Sequence, residues 1–369
     1  MEEVLAGVRQ FVAAEIAPRA VEVDRTQQLP AGLFRKLGEH GLAGLAVPER
    51  WGGVGVDLAT FGACLEAVGG ACASTAWALL AHSASARTIL AFGSDAQKER
   101  LLPALAAGQL IGSALAATEA GGGSSLTGIR TSARRDGDGW VLNGSKEFIS
   151  LAGVADLFVV MARTGEAPPA LGCFLVEQHD GGFSVGRREE LLGVRGVPVG
   201  GLVFAECKLG GERLLGAETG GFAVMGSMGA WGMVGAASAA LGIASMAIEE
   251  ATSHVKERVV DGTPLASLPS VQARVGDLRI EMARARAHVS QAIRDVEGLK
   301  GPPVPLFMAK LATTESAVQV VDRCATLYGA AGYSRALPAE RRARDVRAFT
   351  MHWGNNEVFR ATIRKGSLV

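Results

Sequence analysis

The stretch "LIGSALAATEAGGGSSLTG", residues 110–128, is where this 369-residue chain changes character. Its first part, "LIGSALAAT", is a short apolar run that reads as a buried strand, and the glycine-rich remainder reads as a loop. Residues 1–109, on its N-terminal side, carry helical patterning. In "VLAGVRQFVAAEIAP", Val4, Val8, Phe11 and Ile16 fall near one face, and Pro18 is expected to close the helix. Two further apolar helical stretches cover 58–92 and 96–108, with Gly93 between them and Ser94 or Asp95 as candidate cap for the second. On the C-terminal side, "TSARRDGDGWVLNG" predicts a hairpin whose Asp-Gly-Asp-Gly turn supplies positive φ angles. "DLFVVMART", "LGCFLVEQ" and "GGLVFAECKL" predict further strands. From about residue 217 the pattern is helical again, with Val271, Val275, Leu278 and Met282 on one face and "GPPVP" (301–305) between two long helices. The order α, β, α predicts an α+β fold with domains at 1–109, 110–216 and 217–369.

The composition narrows the function classes. Thirty-seven basic and thirty-seven acidic residues cancel, so no broad attraction to nucleic acid or acidic membrane is expected. A 48% hydrophobic content with 20% charged residues is that of a folded globular protein. Cys64, Cys72, Cys173, Cys207 and Cys324 form no CxxC pair, and the histidines are dispersed; neither a metal site nor a disulfide framework is expected. The acidic, amphipathic start "MEEVLAGVRQFVAAEIAP" is unlike a signal peptide, and a reducing cytoplasm is the expected setting. Thirty uncharged residues lie between Glu218 and Glu249, enough to span a bilayer. They are rich in Gly, Ala and Ser and run into the charged "EEATSHVKER", which favours a buried helix over a membrane span.

"AATEAGGGSSLTGIRTSA" resembles the acyl-CoA dehydrogenase family of flavoproteins. Thr118, Glu119, Gly123 and Ser124 meet the family pattern Thr-Glu-Pro-x-Ala-Gly-Ser-Asp. The resemblance extends to "VPERWGGVGVD", "LNGSKEFIS", "LLGVRG" with "ERLLG", "GDLRIEMARAR" and "YGAAGY" with "RARD", in the family's order. It implies a helical domain, a middle β-barrel-like domain and a C-terminal four-helix bundle, assembled as a homodimer or homotetramer. It also implies FAD. A flavin ring needs an apolar wall and hydrogen-bond partners at its edge, which the protein supplies while the cofactor carries the redox chemistry. "EFIS" offers Phe148 as wall and Ser150 as donor. By resemblance, Leu115, Ala117, Thr118, Gly123 and Ser124 would also touch the cofactor, and Arg258 would reach the pyrophosphate of a neighbouring subunit's FAD. The remote end departs from the family: Asp261, Pro269 and Thr326 stand where an aromatic and two glutamines are usual. Gln272 lies near enough to substitute, and Asn355 and Glu357 occupy the usual hydroxyl and polar positions.

The departure that bears on chemistry is in "MHWGNNEVFR", residues 351–360. The family's catalytic glutamate precedes the glycine of this turn, and Trp353 occupies its place. A smaller branch carries the glutamate on the long helix, at the position of Gly232 beside Trp231. An indole N–H only donates, so neither position offers a base. His352 is a candidate substitute, because histidine titrates near neutrality, although a sequence neighbour often points away. Met233 replaces an arginine near the family's acyl-CoA site, which suggests a substrate on the phosphopantetheine arm of an acyl-carrier protein. Short length and an Ala/Gly/Arg-rich composition resemble the acyl-ACP dehydrogenases of polyketide antibiotic pathways that make hydroxymalonyl and methoxymalonyl extender units. The substrate implied is a small C3 acyl group, with Ser124, Trp231, Met233 and Trp353 lining the channel. Two other readings stay open: a flavin monooxygenase on the same fold, and a catalytically inactive flavin- or acyl-binding paralogue. The electron acceptor is open as well. Glu119 reads as a loop stabiliser, His82 as a satisfied helix residue and Arg195 as structural.

Overall fold

The N-terminal helices are α1 (Glu2–Phe11), α2 (Ala20–Thr26), α3 (Leu33–Glu39), α4 (Leu58–Ala71), α5 (Ala73–Phe92) and α6 (Asp95–Ala106) in a computed structural model that describes residues 2–122, 126–166, 170–299 and 303–367. Pro18 does not close the first helix. The chain continues through a π turn (Val12–Ile16) and a short 3-10 segment (Ala17–Arg19) into α2. Pro18 sits in the first turn of that segment, where a missing N–H removes no helical hydrogen bond. The apolar run 58–92 is likewise two helices rather than one, divided at the extended Cys72 (φ −148°, ψ 109°). Apolar periodicity does not register a one-residue break between two buried helices. Ser94 caps α6 reciprocally: its Oγ accepts from Gln97 N (3.2 Å), and the Gln97 carboxamide accepts from Ser94 N (2.8 Å).

The middle of the chain forms β1 (Gly112–Ala116), β2 (Ser132–Asp136), β3 (Gly139–Ser150), β4 (Leu157–Arg163), β5 (Leu171–Glu177), β6 (Phe183–Arg188), β7 (Val199–Leu209) and β8 (Leu214–Leu215). They make one sheet in the order β6-β7-β3-β2-β4-β5-β8, with β1 parallel to β4. The β2–β3 hairpin turns through Gly137 at φ +57°, a conformation glycine adopts without strain. Strands β4 and β5 are buried on both faces, as their unbroken apolar sequences require.

The chain then returns to helix in α7 (Gly221–Glu257), passes a two-stranded hairpin of β9 (Val259–Val260) and β10 (Thr263–Pro264), and continues as α8 (Pro269–Asp295), α9 (Val304–Thr326), α10 (Pro338–Met351) and α11 (Asn356–Ser367). Helices α7 to α10 pack on one another, with Leu278 and Met282 of α8 buried in the shared core. Helix α7 is long and apolar enough to cross a membrane, yet 89% of its apolar window is buried inside the protein. It is the core helix of the fold.

Small residues let α7 approach its neighbours at backbone distance. A Cβ on Gly242 would overlap the Glu66 carbonyl and come within 2.7 Å of Gly70 N, and one on Gly69 would lie 2.6 Å from the Ala239 carbonyl oxygen. The α4–α7 crossing is therefore a contact of backbone on backbone. Gly242→Ala is expected to destabilise the protein by about 1–3 kcal/mol in chemical denaturation, the usual range for overpacking. Gly7→Ala, with nothing near its Cβ position on α1, should be neutral or mildly stabilising.

Candidate active site

The turn between α10 and α11 has two aromatic-on-glycine contacts, one with its own helix α11 and one with α7. Trp353 adopts φ +57° and Gly354 φ +94°. A Cβ on Gly354 would collide with the Phe359 ring, and a Cβ on Gly232 would overlap the six-membered ring of the Trp353 indole, 2.3 Å from its nearest carbon. The residues at the two positions considered for a base thus touch each other, and the indole of one covers the other. Lys310 of α9 holds the turn from below. Its Nζ donates to the Gly354 carbonyl (2.6 Å) and to Asn356 Oδ1 (2.9 Å), and Asn356 donates on to Thr314 Oγ1 (3.1 Å). Burial pushes the Lys310 ammonium down to about 7 against the opposing pull of Glu315. Asn355 Oδ1 accepts from Glu357 N (2.8 Å) at the start of α11, and exposed Glu357 pairs with Arg360 (2.8 Å).

A second wall comes from the sheet. Thr118 accepts from Glu147 N through its carbonyl (2.9 Å), and Ser113 Oγ donates to the Ser150 carbonyl (2.6 Å). Phe148 stands at φ +56° with half its surface exposed (50%), an uncommon state for a large ring. Leu115 and Ala117 are half-buried against the sheet's own core. Gly123 and Ser124 lie outside the described residues.

Trp77 of α5 joins the two walls, a role that sequence reasoning misses: the only signal is a lone indole among the small residues of "ASTAWALLAHSASA". Its Nε1 donates to Ser150 Oγ (2.8 Å). One lone pair of that hydroxyl is thereby used, and its proton is left free to be donated elsewhere. On its other side Trp77 meets the edge of the His352 ring (centroids 4.1 Å, 69°) and Phe349 of α10 (5.7 Å). His352 therefore lies against the indole that hydrogen-bonds Ser150. Desolvation, reinforced by Lys310, pushes its imidazole down to about 4, so it is neutral at physiological pH and close in basicity to an ordinary glutamate.

Not every candidate residue converges here. Trp231 packs on Phe61 (4.9 Å) and beneath the Arg87 guanidinium (5.0 Å), while Met233, about 200° further round α7, is buried in the main core. Arg258 lies twenty-six residues beyond Gly232, about 39 Å along a helix. It is exposed, as is Gln272, whose amide donates to the Ala266 carbonyl (2.9 Å). Within one chain neither reaches the Phe148–Trp353 region. His82 accepts from Gly112 N (3.2 Å) and contacts the Leu105 carbonyl (3.0 Å), so it is a satisfied core residue. Arg195 lies 3.9 Å from Asp24.

Glu119 anchors the loop beside the sheet wall. It accepts from Lys146 Nζ (2.7 Å), Thr131 Oγ1 (2.6 Å) and the amides of Arg130 (2.7 Å) and Thr131 (3.0 Å). Burial alone would raise its carboxyl; the hydrogen bonds together outweigh it and bring the group down to about 2.

Two outcomes follow from these contacts. Gly232→Ala should cost about 1–3 kcal/mol in the parent but little in a Trp353→Gly background, a coupling measurable by a double-mutant denaturation cycle; additive effects would show that the two residues do not meet. Because the Glu119 pKa is depressed, its stabilisation is complete above the unfolded value of about 4.5 and is lost as pH falls towards about 2. Glu119→Gln, which strands Lys146, should lose about 3–5 kcal/mol near neutrality and show a flatter stability profile across that acid window in pH-dependent unfolding.

Three consecutive family models cover the chain: "Acyl-CoA dehydrogenase, N-terminal domain" at residues 1–109, "middle domain" at 114–207 and "C-terminal domain" at 219–368. Cyclohex-1-ene-1-carbonyl-CoA dehydrogenase of Syntrophus aciditrophicus (strain SB) is 36% identical over 359 residues, 96% of this chain and 86% of that protein. Butyryl-CoA dehydrogenase from Megasphaera elsdenii superposes with TM-score 0.95 at 30% identity, over 100% of this chain and 98% of the other. Glutaryl-CoA dehydrogenase from Mycobacterium smegmatis in complex with FADH2 does so with TM-score 0.92 at 26% identity, over 100% and 94%. The prolyl acyl carrier protein oxidase AnaB gives TM-score 0.91 at 25% identity, over 100% and 98%. With its fold, its domain order and these relatives in agreement, the chain belongs to the acyl-CoA dehydrogenase family.

Proposed function

We propose that this protein is an FAD-dependent oxidoreductase that oxidises a small acyl group carried on an acyl-carrier protein. The observation that carries this reading is the Trp353–Gly232 contact, which puts an indole over both base positions; a small acyl group is the substrate that suits a site narrowed by so large a side chain. The likeness to a prolyl acyl carrier protein oxidase supports the carrier. The half-exposed Phe148 and the hydroxyl of Ser150, its proton left free by Trp77, suit a flavin ring and its polar edge. Phe148 and Ser150 would hold the FAD ring, and the cofactor would supply the hydride-accepting chemistry. Arg258 and Gln272, remote from Phe148 in their own chain, suit the cofactor of a neighbouring subunit in a homodimer or homotetramer.

Without a glutamate, abstraction of a carbon-bound α-proton has no strong candidate. An aldehyde hydrate avoids that demand. Loss of its C–H hydride and one O–H proton gives a carboxylic acid, and an O–H proton is the easier one to remove. A C3 group such as 2-hydroxy-3-oxopropionyl-ACP, oxidised in its hydrate towards hydroxymalonyl-ACP as an extender unit, fits this requirement. In this reading neutral His352, fixed by Trp77, receives the proton, and Lys310 keeps the turn in place.

The test is anaerobic mixing of the yellow holoprotein with 2-hydroxy-3-oxopropionyl-ACP. Bleaching of the flavin is expected with the ACP ester, and His352→Gln should slow it by about a hundredfold or more while FAD remains bound. Absence of bleaching with any C3 acyl-ACP or acyl-CoA, together with oxygen-dependent product from supplied reduced flavin, would replace this reading with a monooxygenase.

A further inference from the structure

A second concavity lies away from Phe148 and Trp353, between the N-terminal helices, the C-terminal half of α7 and the start of α10. It encloses about 960 Å³, a size suited to a small ligand. Ala13, Ala17, Ala67 and Ala71 contribute small apolar surface to it, and Arg9, Arg25, Arg195, Arg335, Arg341 and Arg342 line it. Only three carboxylates line it with them, Asp24, Glu250 and Glu340, so the lining carries a net positive charge of three.

Those carboxylates are already engaged. Asp24 receives two hydrogen bonds from Arg344 (2.7 and 2.9 Å), Glu340 also binds Arg344 (2.7 Å), and Glu250 holds Arg342 (2.6 and 2.7 Å). Among the described residues, Arg9, Arg335 and Arg341 donate no hydrogen bond. Arg341 is the telling one. It is only 8% exposed, and the carboxylate facing it, Asp345, is 4.0 Å away. Asp345 itself accepts from Val194 N (2.6 Å). None of its nitrogens is among the fully buried polar atoms without a partner, so the guanidinium keeps donors in contact with solvent, and an anion there would satisfy them. The first turn of α10 opens on the same groove through Leu337 and Pro338, and no side chain caps it. Its free amides and helix dipole add donors for an anion.

We propose that this groove binds a small organic phosphate, its dianionic head at Arg341 and the first turn of α10 and its apolar part against the alanines. The excess of three positive charges favours a dianion over a carboxylate, and guanidinium forks match phosphate oxygens. This site is independent of the flavin reading, because none of its residues belongs to that region.

Calorimetric titration of the holoprotein at low salt tests it with three probes: phenyl phosphate, inorganic phosphate and benzoate. Phenyl phosphate should bind saturably with one site per chain and about tenfold or more tighter than benzoate. Inorganic phosphate should compete with it; equal affinity of the two phosphates would assign the site to the bare anion, and tighter phenyl phosphate to an organic ester. Arg341→Gln should abolish binding, and Arg335→Gln, on an exposed loop, should weaken it several-fold without affecting the fold. Absence of saturable binding beyond chloride at equal ionic strength would overturn the proposal. So would undiminished binding by Arg335→Gln, even if Arg341→Gln did not fold.

Discussion

The passage of α7 against α4 at backbone distance is the constraint on which the rest of the molecule rests. A methyl at Gly69 or Gly242 would collide with the backbone of the facing helix, and Gly62 and Gly70 are in tight contact with it, so neither helix has room to slide or rotate. Such a contact gives up side-chain burial for close, extensive dispersion contact, which pays only if the surrounding layers fix both helices. They do. Helices α8, α9 and α10 pack on the other faces of α7, and α5 follows α4 after a single extended residue. Once α7 is fixed, the position of Gly232 is fixed, and with it the depth at which the α10–α11 turn can seat an indole.

That turn is conformationally expensive. Two successive residues with positive φ, one of them a tryptophan, cost about 1–2 kcal/mol for the non-glycine member. The strain persists because Lys310 binds the turn's carbonyl and the first residue of α11 together. A buried lysine has a cost of its own, visible in an ammonium pushed down to about 7. Two unfavourable elements, a strained indole and a desolvated amine, thus hold each other in place. Both make sense where a side chain must be aimed at a site rather than merely packed.

Much of the architecture was legible from residue pattern. The α, β, α order, the Ser94 cap, the buried character of α7 and the loop-holding role of Glu119 all follow from periodicity, capping chemistry or the absence of partners in sequence. The misreadings share one cause. Pro18 and Cys72 sit where local rules permit either continuation or a break, and tertiary packing decided each case. The site was less legible for a different reason. Trp353 and Gly232 are separated by 121 positions, and no local signal says that the indole of one lies on the other. Trp77 was invisible because a tryptophan in an apolar helix reads as core until its N–H is seen to reach Ser150.

The electrostatics separate what the fold needs from what it leaves over. A chain with no net charge gains nothing from long-range attraction, so each buried charge must be satisfied locally. Lys146 with Glu119, Arg342 with Glu250, and Arg344 with Asp24 and Glu340 meet that demand at hydrogen-bond distance. Arg341 does not, although it lies three residues from Arg344 on the same helix. The same helix ends at Met351, just before His352 and Trp353, so α10 carries a cation without a hydrogen bond near one end and the Trp353 turn at the other, about 20 Å apart.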